Sequence, residues 1–137
     1  MPQVSSISIK LHRLIWITGF AILLTAQIAG AQQQSLTFRA ISAEYSKALD
    51  RIVMISSSPD VLHIYTPNGP SDTTVALSMP PLSLSVSPDG LFAAVGHDRL
   101  ISYVSLSDAS VQRTYPISVS ASIVVLSPGW IYVMPTY

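Results

Sequence analysis

An all-β fold of repeated four-stranded antiparallel units is predicted by three observations on this 137-residue chain. The first is a repeat with a period of about forty residues. Ser87-Pro88-Asp89-Gly90 followed by Leu91 to Val95 recurs as Ser127-Pro128-Gly129 followed by Trp130 to Met134. A degenerate earlier copy runs Ser46 to Asp50 and continues as Arg51 to Ile55. The second is a series of short runs rich in β-branched and aromatic residues, each bounded by turn formers, which is the signature of strands. The third is the turn chemistry. Proline presets φ, aspartate bonds its own backbone and glycine accepts a positive φ in Ser87-Pro88-Asp89-Gly90 and in Thr66-Pro67-Asn68-Gly69. Short strands repeating at this period are the pattern of a β-propeller blade.

The elements follow in order. Strands are expected at residues 36–43, 51–56, 61–66 and 73–78, again at 82–87, 91–96, 100–105 and 111–118, and finally at 122–127 and 130–134. Leu82, Leu84 and Val86 alternate with serines and share one face. Residues 122–127 are apolar on both faces, which suits a strand covered from both sides. The sum is two blades, at about 36–78 and 82–118, and a partial third at 122–137.

Ahead of these repeats lies a leader. Lys10, His12 and Arg13 precede an apolar run from Leu14 to Ile28, and Ala29-Gly30-Ala31 offers small residues for cleavage. This is the layout of a secretory signal peptide occupying residues 1–31 and cut after Ala31. The expected destination is secreted or periplasmic. Retention as a membrane anchor is the alternative, since the apolar run approaches the ~20 residues a bilayer needs.

Beyond the leader, five basic side chains face seven acidic ones, and the basic ones are scattered singly. Nucleic-acid binding wants clustered Lys and Arg, so it is not expected. There is no cysteine, hence no disulfide, thiolate nucleophile or Cys-type zinc site.

Candidate chemistry is thin. His97 and Asp98 form the densest polar cluster and are the only ligand-binding candidates; turn chemistry alone also accounts for them. His63 sits in a strand with no metal-ligand partner at matched spacing. A Ser-His-Asp triad lacks the Gly-x-Ser-x-Gly elbow that would support it. Tyr65, Tyr103, Trp130 and Tyr132 read as packing residues of strands. No catalytic residue, metal site or cofactor is expected.

The residues at 85–90, Ser-Val-Ser-Pro-Asp-Gly, with the strands at 91–95 and 100–104, resemble the YVTN and WD40-like bacterial propeller repeats. The resemblance covers roughly residues 40–135. The Trp-Asp pair of WD40 repeats is missing, and Gly96-His97 stands in the wrong place for their Gly-His. The resemblance implies a ring of about seven blades, of which this chain holds about two and a half. With the leader, the reading is an exported scaffold or interaction surface for an unidentified protein or small ligand, and the uncovered blade face and unpaired strand edges predict self-association. A piece of a lactonase-like or quinoprotein-like propeller enzyme is the alternative.

Overall fold

The computed structural model describes residues 33–69 and 71–136, and the leader with its cleavage site at Ala31 lies outside them. Among the described residues, ten strands form two four-stranded sheets and one hairpin, all antiparallel, and within each the strands pair in sequence order. Sheet I holds β1 (Ser42–Ser46), β2 (Arg51–Ser56), β3 (Val61–Thr66) and β4 (Ser71–Ala76). Sheet II holds β5 (Ser83–Val86), β6 (Phe92–Gly96), β7 (Asp98–Ser105) and β8 (Ser110–Ser120). The hairpin is β9 (Ile123–Ser127) and β10 (Trp130–Met134).

The same turn geometry recurs in each unit. Asp50, Gly90 and Gly129 close the first hairpin of successive units with φ of 52°, 73° and 77°. Gly69 and Ala109 hold the last turn of the two complete sheets at 87° and 50°. Glycine takes such values without strain, and aspartate tolerates them better than most residues.

The three units stack face to face in chain order. β5 packs against β1 and β2 on one side and against β9 on the other, and β6 also meets β9. Alternation along the strands divides the apolar residues between two cores. The first joins Val53, Ile55, Leu62, Ile64 and Val75 of sheet I to Leu84, Ala93, Val95, Val104 and Leu106 of sheet II. The second joins Ala94 and Ile101 of sheet II to Ala121, Val124 and Leu126, with Tyr103, Tyr115, Ile117, Ile131 and Val133 packed around them. Full burial of each aliphatic side chain contributes roughly 1.5–3 kcal/mol, so the stack is held mainly by these two cores.

Three expectations are corrected. The first strand is Ser42–Ser46, not residues 36–43; the register is set by the turn ending at Asp50, which pairs Ser46 with Arg51 and Ser42 with Ile55. Of the trio Leu82, Leu84 and Val86, only the last two join the core; Leu82 precedes the strand and is 43% exposed. β9 is covered on one face only: Val124 and Leu126 are buried, whereas Ile123 and Val125 are 45% and 43% exposed because no described residue packs over them.

Candidate functional site

His97 and Asp98 adjoin in sequence but diverge in space. His97 is fully buried, its Nδ1 lies 3.1 Å from the Pro80 carbonyl oxygen, and its Nε2 lies 3.0 Å from Ser102 Oγ. The carbonyl can only accept, so Nδ1 carries the proton and the serine hydroxyl donates to Nε2. Burial pushes the imidazole below its usual pKa, against smaller opposing effects from the Pro80 and Met79 backbone and from Asp60. Asp98, by contrast, is exposed. Its carboxylate accepts from Ser120 Oγ at 2.5 Å and lies 3.8 Å from Arg99 Nε. The pair therefore has no common target.

A second polar array, not foreseen from the sequence, lies on the outer face of sheet I. Ser56 Oγ is 2.9 Å from His63 Nε2, and His63 Nδ1 is 2.7 Å from Asp72 Oδ2. Register assembles it. His63 faces Met54 and Thr74, Ser56 faces Val61, and Asp72 faces Tyr65, so all three side chains fall on one face. The order of atoms is that of a charge-relay triad, yet Ser56 is only 2% exposed and His63 5%. The Phe38 ring lies flat on the imidazole, with centroids 3.6 Å apart and planes within 3°. Ser56 Oγ also lies 3.3 Å from the Pro59 carbonyl. The array ties the segment before β1 to the sheet through Phe38, satisfies a buried histidine and leaves the Ser56 hydroxyl almost wholly buried. Among the described residues, no three His, Asp or Glu side chains gather as metal ligands would.

Polar side chains of each inner strand fasten the next unit. From β1, Glu44 Oε2 accepts the Val86 amide at 2.6 Å, and Ser46 Oγ donates to the Gly90 carbonyl at 2.6 Å. From β5, Ser85 Oγ accepts the Leu126 amide at 3.0 Å, and Ser83 Oγ donates to the Ala121 carbonyl at 2.6 Å. Val86 and Leu126 are forty residues apart, and Glu44 and Ser85 forty-one, so one device is used twice. Forty residues beyond Ser83 and Ser85 stand Ile123 and Val125, which have no such group to offer.

The outer face of the hairpin is apolar and open. Register places Met134 beside Ile123 and Tyr132 beside Val125, with Trp130 beside Ser127. Trp130 is 68% exposed and Tyr132 53%, so these two aromatics do not pack within the described residues as the sequence suggested. Tyr65 and Tyr103 do: Tyr65 is buried, and Tyr103 stacks on Phe92 at 5.1 Å. Five neighbouring side chains, Ile123, Val125, Trp130, Tyr132 and Met134, thus form a surface with the composition of an interface centre.

No family model matches the sequence, and no curated protein does either. Among solved structures the chain is similar to hydrazine synthase of Kuenenia stuttgartiensis, with a TM-score of 0.64 and 17% identity over 77% of this chain. It spans 32% of that chain's length. The likeness is one of fold.

Proposed function

We propose that this chain is an exported, non-catalytic β-propeller repeat module of the YVTN and WD40-like kind, serving as a scaffold or interaction surface. The stacking of sheets through β1, β5 and β9, with each following sheet laid on the same face of the one before, supports a propeller arrangement. The likeness in fold to a longer chain supports a place in a larger assembly.

One observation carries the reading. The face that sheet I turns to sheet II, and sheet II to the hairpin, is buried; the equivalent face of the hairpin is covered by no described residue and, apart from Ser127, is apolar. Free strand edges and exposed apolar faces invite association. Size-exclusion chromatography of residues 32–137 tests this. Oligomers, or loss of soluble protein on concentration, are expected; a stable, dilute monomer removes the basis of the proposal. N-terminal sequencing of the exported product tests the leader: Gln32 first supports cleavage, and Met1 retained supports an anchor.

A further inference from the structure

Between sheets I and II, at the end where β2 begins, lies a cavity of about 200 Å³. Leu49, Ile64, Leu106 and Ala109 give it apolar walls, and Arg51, Thr73 and Ser107 add a guanidinium and two hydroxyls. Register explains the mixture. Side chains alternate across a strand, so Arg51 shares with Val53 and Ile55 the face turned to sheet II. Ile64 pairs with Val53 and with Thr73, which brings Thr73 onto the same face. The turn between β7 and β8 supplies Leu106, Ser107 and Ala109 from the other side. We propose that this cavity binds a small carboxylate with a short apolar chain, the carboxylate held by Arg51 and the chain laid on Ile64 and Leu106. Both walls belong to complete four-stranded sheets, so the site stands independently of the module reading above.

Arg51 is the residue that points to an anion. It is half-buried, and among the described residues no carboxylate stands within ion-pair distance of it. The neighbouring acids are committed elsewhere. Asp50 accepts from the Tyr45 hydroxyl at 2.6 Å, and Asp72 Oδ2 lies 2.7 Å from His63 Nδ1. Glu44 holds the Val86 amide, and Asp108 accepts from Ser105 Oγ at 2.8 Å within its own turn. A cation drawn partly out of water costs free energy until an acceptor meets it. The planar guanidinium matches a carboxylate with two parallel hydrogen bonds. Nor does the repeat demand an arginine here. The residue after the positive-φ position is Arg51 in the first unit, Leu91 in the second and Trp130 in the third. Size and lining define the rest of the ligand. Drug-sized molecules occupy roughly 300–1,000 Å³, so this cavity takes something smaller. Leu49 and Ala109 pack against the first core, which makes the apolar wall a continuation of it. A chain of a few carbons would rest on that wall, whereas a bare inorganic anion would leave it wet.

Pentanoate is the probe, and saturation-transfer NMR on the ligand, which tolerates an oligomeric protein, is the assay on the full chain. Saturable transfer to pentanoate is expected, strongest at its methyl end. Pentylammonium, with the same chain and the opposite charge, should show none, and acetate, with no chain, should bind more weakly. Arg51→Gln should weaken pentanoate about tenfold or more, and Arg51→Lys should weaken it less. Arg39→Gln, an exposed change ahead of β1, should leave it unchanged. A second measurement needs no variant. Butanedione modifies accessible arginines, and mass spectrometry reads each site. Pentanoate should slow modification of Arg51 while Arg39, Arg99 and Arg113 react as before. Equal transfer to pentylammonium, undiminished binding by Arg51→Gln, or protection that does not single out Arg51 overturns the site. A stable monomer that takes up pentanoate loses the module reading and keeps this one; an oligomer whose Arg51 is not shielded does the reverse.

Discussion

Replacing Gly96 by alanine should unseat the hairpin from sheet II. An alanine Cβ at this position would lie 2.3 Å from Ser83 Oγ, 2.4 Å from the Ala121 carbonyl oxygen and 2.7 Å from Ala121 Cβ. Neither oxygen can retreat freely. The Ser83 hydroxyl donates to that same carbonyl at 2.6 Å, and Ala121 is pinned by its own amide bond to the His97 carbonyl at 2.9 Å. Overpacking of this kind costs about 1–3 kcal/mol. Losing the buried hydrogen bond adds about 1 kcal/mol. The expected loss is therefore about 2–4 kcal/mol, a large share of the 5–15 kcal/mol that typically separates folded from unfolded chains. Sign is the sharper criterion. Without the contact, glycine to alanine inside a strand would stabilise by about 0.5–1 kcal/mol. Urea denaturation, followed by Trp130 fluorescence and far-ultraviolet circular dichroism, measures the change. Adding Ser83→Ala relieves the 2.3 Å contact but not the 2.4 Å one, so it should recover only part of the loss. A Gly96→Ala protein as stable as the parent would refute the seating of Ala121 described above.

Three more outcomes are expected. Because burial lowers the His97 pKa, the unfolded chain takes up the proton more readily; stability is full above the ordinary value of 6.5 and falls as pH drops through the folded value. Urea midpoints between pH 7 and pH 5 should decline less for His97→Gln than for the parent. Glu44→Ala strips the Val86 amide of its acceptor and should cost about 1–3 kcal/mol, with Glu44→Gln restoring part of it. Ala109→Gly should gain up to about 1 kcal/mol, since Ala109 sits at φ 50° where alanine is strained; an unchanged or lower midpoint would count against that backbone conformation.

Turn chemistry made much of the fold readable. Asp50, Gly90 and Gly129 mark one turn of successive units, and the runs at 51–56, 61–66 and 130–134 became β2, β3 and β10 with the expected bounds. The first strand was misread because Leu36 and Phe38 alternate like strand residues, whereas Ala43, Glu44 and Ser46 do not advertise one. Their strand state is imposed by pairing with β2 and by the bonds of Glu44 and Ser46 to sheet II. The Ser56, His63 and Asp72 array was invisible because cross-strand register, not sequence spacing, brings it together. The open hairpin face did leave a trace. Ser83 and Ser85 become Ile123 and Val125 one period later, and that switch from polar to apolar marks where the inter-unit bonds cease.

The direction of those bonds has a consequence for biosynthesis. In each case the earlier unit contributes the side chain and the later one the main-chain amide or carbonyl: Glu44 and Ser46 serve Val86 and Gly90, then Ser85 and Ser83 serve Leu126 and Ala121. A polypeptide emerging amino end first presents the satisfying group before the group that needs it. Assembly thus has a polarity written into its serines and one glutamate, with every new layer arriving on a template already complete.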